Sequence, residues 1–214
     1  MRFRAFHITI AWPPHSTTVS VILSFLYVLG YCAASPQPIS VSQTSEFLGY
    51  DGLWSSISIR VGSPEQWLSV IPSTVTQETW VIGPSGCDGT LACQNLRGGL
   101  FSANASTSFQ NLGPYELGSD QQNDGGLVAD YGFDTIALSD EVSVPVQTVA
   151  ILNTTDFWLG EFGLGVQESR FNGTLNHPSY LSSLVQTSGN IPSHSYGYTA
   201  GAHYRTSGVV DYTL

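Results

Sequence analysis

From Leu53 onward, apolar and polar positions alternate along the chain with a period of two. Ile57, Ile59 and Val61 are separated by Ser58 and Arg60, which is the spacing of a strand with one buried face. Gly62-Ser63-Pro64 punctuates that strand as a turn. Trp67 to Ile71 follows as a second strand, so the pair predicts a hairpin. Thr79 to Ile82 is a third strand. Gly132 to Leu138, Val142 to Leu152 and Phe157 to Leu164 read as further strands. Gly83 to Gly99 reads as loop, and Gly118 to Gly126 as a polar, flexible segment. Ser179 to Gln186 is the one fair helix, with Leu181, Leu184 and Val185 at helical spacing. There are no internal repeats and no heptads. Short strands between Gly/Pro turns predict an all-β fold with one short helix.

One stretch departs from this pattern. Val70 to Gly83, VIPSTVTQETWVIG, begins and ends like a buried strand but turns small and polar over Pro72, Ser73, Thr74, Val75 and Thr76. A patch of that kind inside apolar flanks marks either a turn or a site. Residues 35–47, SPQPISVSQTSEF, are Pro- and Ser-rich without periodicity and are expected to form a flexible, exposed leader.

Composition narrows the function classes. Among 214 residues there are sixteen acids, six arginines and no lysine, for a formal net charge of −10. Nucleic-acid binding needs clustered Lys and Arg against phosphates, and no basic stripe exists. The plentiful Gly, Ser and Thr and scarce charge fit an extracellular, strand-rich chain. Arg2 and Arg4, then the apolar run Val19 to Cys32, then Cys32-Ala33-Ala34 resemble a secretory signal over residues 1–34. The run falls short of the ~20 apolar residues of a membrane span, so no span is expected in the mature chain. Cys87 and Cys93 then remain, six positions apart in CDGTLAC. In an oxidising compartment such a pair reads as a small loop disulfide; two cysteines without a nearby His fall short of a zinc set. Three Asn-x-Ser/Thr sequons, at Asn104, Asn153 and Asn172, point to glycosylated surface loops.

Several segments, in order, resemble the N-terminal lobe of the pepsin-like aspartic peptidase family. Trp54 to Gln66 resembles the family's opening hairpin, Ile-x-Ile-Gly-Thr-Pro-x-Gln. Trp80-Val81 resembles the Leu-Trp-Val after the active-site loop. Cys87 and Cys93 stand where the family has its first disulfide loop. Phe101 to Phe109 resembles Phe-x-Pro-x-x-Ser-Ser-Thr-Phe, Gly132 to Leu138 the strand after the flap, and Phe162-Gly163-Leu164-Gly165 the Ile-Leu-Gly-Leu-Gly strand. The resemblance covers roughly residues 48–200, the first of the family's two lobes. It implies a single lobe over 48–214, with the second absent and the chain truncated.

Counting back from Trp80, Ser73-Thr74-Val75-Thr76 falls where the family has Asp-Thr-Gly-Ser. The resemblance therefore puts Ser73 at the catalytic aspartate. Pepsin-like catalysis needs two carboxylates sharing one proton, and a serine hydroxyl cannot act as the base. Val75 replaces a glycine, and a β-branched residue tolerates fewer backbone angles. Thr74 is kept; in the family its hydroxyl helps brace the lobes. Tyr115 stands near the family's flap tyrosine, but Gly-Thr-Gly is missing and a surface loop is expected there.

Other chemistries fit less well. A serine nucleophile at Ser73 lacks the Gly-x-Ser-x-Gly elbow, and its candidate bases His177, His194 and His203 all lie in the distal third. Asp130, Asp134, Asp140 and Glu141 are close in sequence, as an acid pair for glycoside hydrolysis would be, but solvent-facing strand ends and turns account for them. The expected protein is a secreted, catalytically inactive homologue of aspartic peptidases. It would act by binding a peptide, a polysaccharide or a secreted hydrolase, with no metal, no cofactor and no nucleic-acid partner. A fragment of an aspartic-type endopeptidase and a cell-wall or surface structural glycoprotein are the alternatives.

Overall fold

The computed structural model describes residues 38–45, 47–49, 54–117, 127–155, 159–171, 175–188, 191–198 and 211–213. The signal segment, the 118–126 stretch, Asn172 and His203 lie outside them. The strands are β1 (Ser40–Ser42), β2 (Ile57–Val61), β3 (Gln66–Ser73), β4 (Thr79–Ile82), β5 (Gln110–Glu116), β6 (Val128–Ala137), β7 (Ser143–Leu152), β8 (Gly160–Gly163), β9 (Ser169–Phe171), β10 (Leu175–His177) and β11 (Asp211–Thr213). Two short α-helices, α1 (Leu91–Leu96) and α2 (Tyr180–Ser183), accompany them. The fold is all-β.

Seven strands form one sheet in the order β2-β3-β8-β4-β7-β6-β5, and β2 also pairs with β6. The expected hairpin forms: Ile57 lies opposite Val70, Ile59 opposite Leu68 and Arg60 opposite Trp67. Its turn runs through Gly62, whose φ of 85° is left-handed. A Cβ there would come within 2.6 Å of the Ser106 hydroxyl, so glycine is required twice over.

Alternation sorts the side chains onto two faces. Ile57, Ile59, Val61, Leu68, Val70, Val81, Val149, Ile151 and Phe162 join the larger apolar cluster. Trp80, Ile82, Ala129, Tyr131, Ala150 and Leu152 form a smaller cluster. The registers Trp80–Ala150, Ile82–Leu152 and Tyr131–Ala150 place that second cluster on the opposite face.

Four expectations are corrected. The 35–47 leader is not uniformly exposed: Ser40–Ser42 pairs with β11, and Val41 is 3% exposed. Its side chain joins the larger apolar cluster with Ile57, Phe162 and Leu164, and burying apolar surface outweighs the local polar composition. The Gly83–Gly99 loop contains α1. Thr90 caps that helix, its hydroxyl accepting the Cys93 N–H at 3.2 Å, and is itself tied to Asp88 at 2.6 Å. Tyr115 lies on β5, opposite Ala129 of β6, not in a surface loop; its half-buried ring meets Tyr131 edge-on at 5.9 Å. Asp134 is buried rather than solvent-facing, and accepts bonds from the Ser108 hydroxyl at 2.5 Å and the Thr135 N–H at 2.8 Å.

The Cys87–Cys93 disulfide is formed. The segment it closes is held down by Arg97, which is 2% exposed. Its guanidinium donates to the Gly86 carbonyl and, at 2.9 Å, to the Thr154 carbonyl.

Candidate functional site

Ser73 ends β3, and residues 74–78 turn the chain into β4. β8 is inserted between these two strands. It runs parallel to β3, with Ile71 opposite Glu161 and Ser73 opposite Gly163, and antiparallel to β4, with Trp80 opposite Glu161. Beyond β8 the chain still grips the loop: Leu164 N–H donates to the Ser73 carbonyl at 2.8 Å and Gly165 N–H to the Thr76 carbonyl at 2.9 Å. The loop is thus fixed at both ends by one strand.

Glycines make that approach close. A Cβ on Gly160 would stand 2.5 Å from the Trp80 carbonyl oxygen, and one on Gly163 would stand 2.6 Å from the Glu78 carbonyl oxygen. Only a strand without side chains at these points can enter between β3 and β4. Inside the loop, the buried Thr76 hydroxyl accepts the Glu78 N–H at 3.1 Å, a side-chain turn typical of threonine. Val75 is 58% exposed and donates its N–H to the Ser73 hydroxyl at 3.4 Å. Among the described residues the one non-glycine with positive φ is Val146. The loop therefore accommodates Val75 without a left-handed backbone.

Alternation puts Ile71 and Ser73 of β3, Glu161 of β8 and Trp80 of β4 on the face away from the larger core. The Ser73 hydroxyl faces the Glu161 carboxyl. Burial raises the pKa of that carboxyl, and Ser73 partly offsets the rise. One residue before β4, Glu78 is 4% exposed and accepts a bond from the Tyr131 hydroxyl at 2.6 Å. Burial raises its pKa as well; the Tyr131 hydroxyl opposes that, and the Ser169 hydroxyl opposes it more weakly, without closing a geometric hydrogen bond. Sequence reasoning passed over both glutamates. Their signal was a single acid in an otherwise apolar strand, WLGEFGLG, and another at the border of TWVI.

This face of the sheet brings together one hydroxyl, of Ser73, and one carboxyl, of Glu161. The other sequence candidates are scattered. His177 stacks on Phe133 with centroids 4.5 Å apart, and His194 bonds the Ser182 hydroxyl at 3.2 Å. Asp130 accepts from the Asn153 amide at 3.0 Å, and Asp140 is ion-paired with Arg60. Asn104 is exposed on a 3-10 turn, and Asn153 is exposed just after β7. Among the described residues no group of three His, Cys, Asp or Glu side chains is placed to hold a metal ion, and no helix is long and apolar enough to cross a membrane.

In comparisons with known proteins, no family model matches the chain, and no curated protein matches it.

Proposed function

We propose that the chain carries a pepsin-like lobe whose catalytic carboxylate has been replaced, and that it acts outside the cell by binding peptides rather than cutting them. The observation that carries this reading is Ser73. It ends the strand that enters the loop, is held there by the Leu164 N–H on its carbonyl, and has a hydroxyl where the resemblance expects a carboxylate. The motif segments support the resemblance in another way. The opening hairpin, the β4 strand, the β6 strand and the β8 strand all join one sheet, in which β8 lies between β3 and β4.

The chemistry follows from charge. Hydrolysis by a carboxylate pair needs one ionised member to take a proton from water while the other donates to the carbonyl. A neutral hydroxyl does neither at the required strength. An extended peptide can still lie over the face bearing Ile71, Ser73 and Glu161; β3 and β8 are interior strands with their backbones already paired, so side chains on that face would hold it rather than strand addition at an edge.

Panning a random peptide library on the immobilised chain tests this reading. The wild type is expected to retain a reproducible subset. Ser73→Arg, which sets a bulky cation beside Glu161, is expected to lose it. A wild type that retains nothing above the blank surface, or a variant that retains the same subset, contradicts the proposal.

A further inference from the structure

The β2–β3 hairpin carries an exposed tryptophan away from the Ser73 loop. Trp67 is 67% exposed, whereas its cross-strand partner Arg60 is 8% exposed. The Arg60 guanidinium lies over the indole, 5.3 Å from the ring centroid. Two carboxylates hold that guanidinium in place, Glu65 at 2.9 Å and Asp140 at 2.6 Å. The neighbouring Gln66 side chain closes two bonds with the Ser102 backbone, at 3.0 and 2.8 Å. One face of the indole is therefore backed by a fixed cation, and the exposure belongs to its other face and edges.

A flat aromatic face held rigid by its own neighbours costs little entropy to use. The surroundings select what it takes. Ser58 and Ser69 are the next positions on the same face of the hairpin, so the hairpin positions flanking the ring are small and polar rather than the apolar surround of a protein-binding patch. The π-face is negative and attracts weakly positive C–H groups. Glu65 and Asp140 are 48% and 93% exposed along their side chains and accept hydrogen bonds from hydroxyls. One cation and two carboxylates leave one net negative charge, which repels anionic polymers. We propose that Trp67 is a stacking platform for a neutral, gluco-configured glycan. The axial C–H face of one pyranose ring would rest on the indole, and its hydroxyls would meet Glu65 and Asp140. This proposal does not rest on the Ser73 reading.

Calorimetric titration of the full chain with cellohexaose, chitohexaose and an oligogalacturonate tests it, with the indole N–H resonance of Trp67 as a second readout. At least one neutral hexaose is expected to bind and shift that resonance, and the oligogalacturonate is not. Trp67→Ala is expected to weaken binding about tenfold or more, and Trp67→Phe by less. Both variants should stay folded and unfold cooperatively, Trp67→Ala at a slightly lower midpoint because the stacking on Arg60 is lost. The proposal is overturned if neither neutral hexaose binds the wild type, if Trp67→Ala binds as tightly as wild type, or if the oligogalacturonate binds best. Loss of self-association in Trp67→Ala without any glycan binding would assign the residue to a protein contact and overturn it equally.

Discussion

At the residue scale, Glu78 is where burial and charge meet. Its carboxyl is held above the ordinary range of about 4.3 mainly by burial, with the Tyr131 hydroxyl working against the rise. Between the unfolded value and the raised folded value, the folded chain keeps a proton that the unfolded chain has released. Stability therefore falls as pH rises through that window, and the loss is complete above the folded pKa. Glu78→Gln keeps an acceptor for Tyr131 and removes the titration. Its unfolding midpoint is expected to match wild type below the unfolded pKa, to exceed it increasingly as pH rises toward the raised folded value, and to keep a constant lead above that. A gap between the two proteins that stays constant over this whole range would show that Glu78 does not titrate in this way. Sequence reasoning singled out Ser73, by counting back from Trp80, but passed over Glu161 on the same face and Glu78 beneath the Tyr131 hydroxyl. A lone acid in a strand reads as solvent-facing until the pairing strands are known, and those pairings join residues far apart in sequence.

At the element scale, alternation made Ile57–Val61 legible, short apolar runs between turn residues marked Thr79–Ile82 and Ser143–Leu152, and only the part of Val128–Ala137 from Gly132 onward was read as strand. β5 was missed because QNLGPYE contains Gly113, at φ 108°, and Pro114, both strand breakers by rule. A register shift between Asn111 and Gly113 absorbs the glycine, and Pro114 is tolerated because β5 is the edge strand of the sheet. α1 was missed because six residues are too few to show helical periodicity; its signal was the Asp88-Gly89-Thr90 cap. β8 was found as a strand, but its place between β3 and β4 was not, although its glycines are the reason it fits. Gly163→Ala should expose that dependence. The new methyl would meet the backbone of Gln77 and Glu78, which cannot rotate away, so β8 must withdraw from the Ser73 loop. A loss of roughly 1–3 kcal/mol is expected from overpacking, read as a lower midpoint in chemical denaturation. An unchanged midpoint would mean the loop tolerates β8 at a greater distance.

At the scale of the whole molecule, the all-β class was legible from strand spacing and turn residues, whereas sheet order was not. Parallel pairing of β3 with β8, and the return of β2 to β6, depend on contacts between distant segments that no local pattern reports. The burial of Val41 belongs to the same class, since it is set by Ile57, Phe162 and Leu164 rather than by its own neighbours. What the assembled molecule presents is a loop gripped at both ends, a hydroxyl facing one carboxyl, and a separate aromatic platform on the opening hairpin. The account's central claim is that the loop binds without cutting. Incubating the purified full chain with denatured protein substrate at acid pH, and following new N-termini by mass spectrometry, tests this most directly. The account predicts no cleavage above the buffer control, in wild type and Ser73→Ala alike. Cleavage by the wild type that disappears in Ser73→Ala would contradict it.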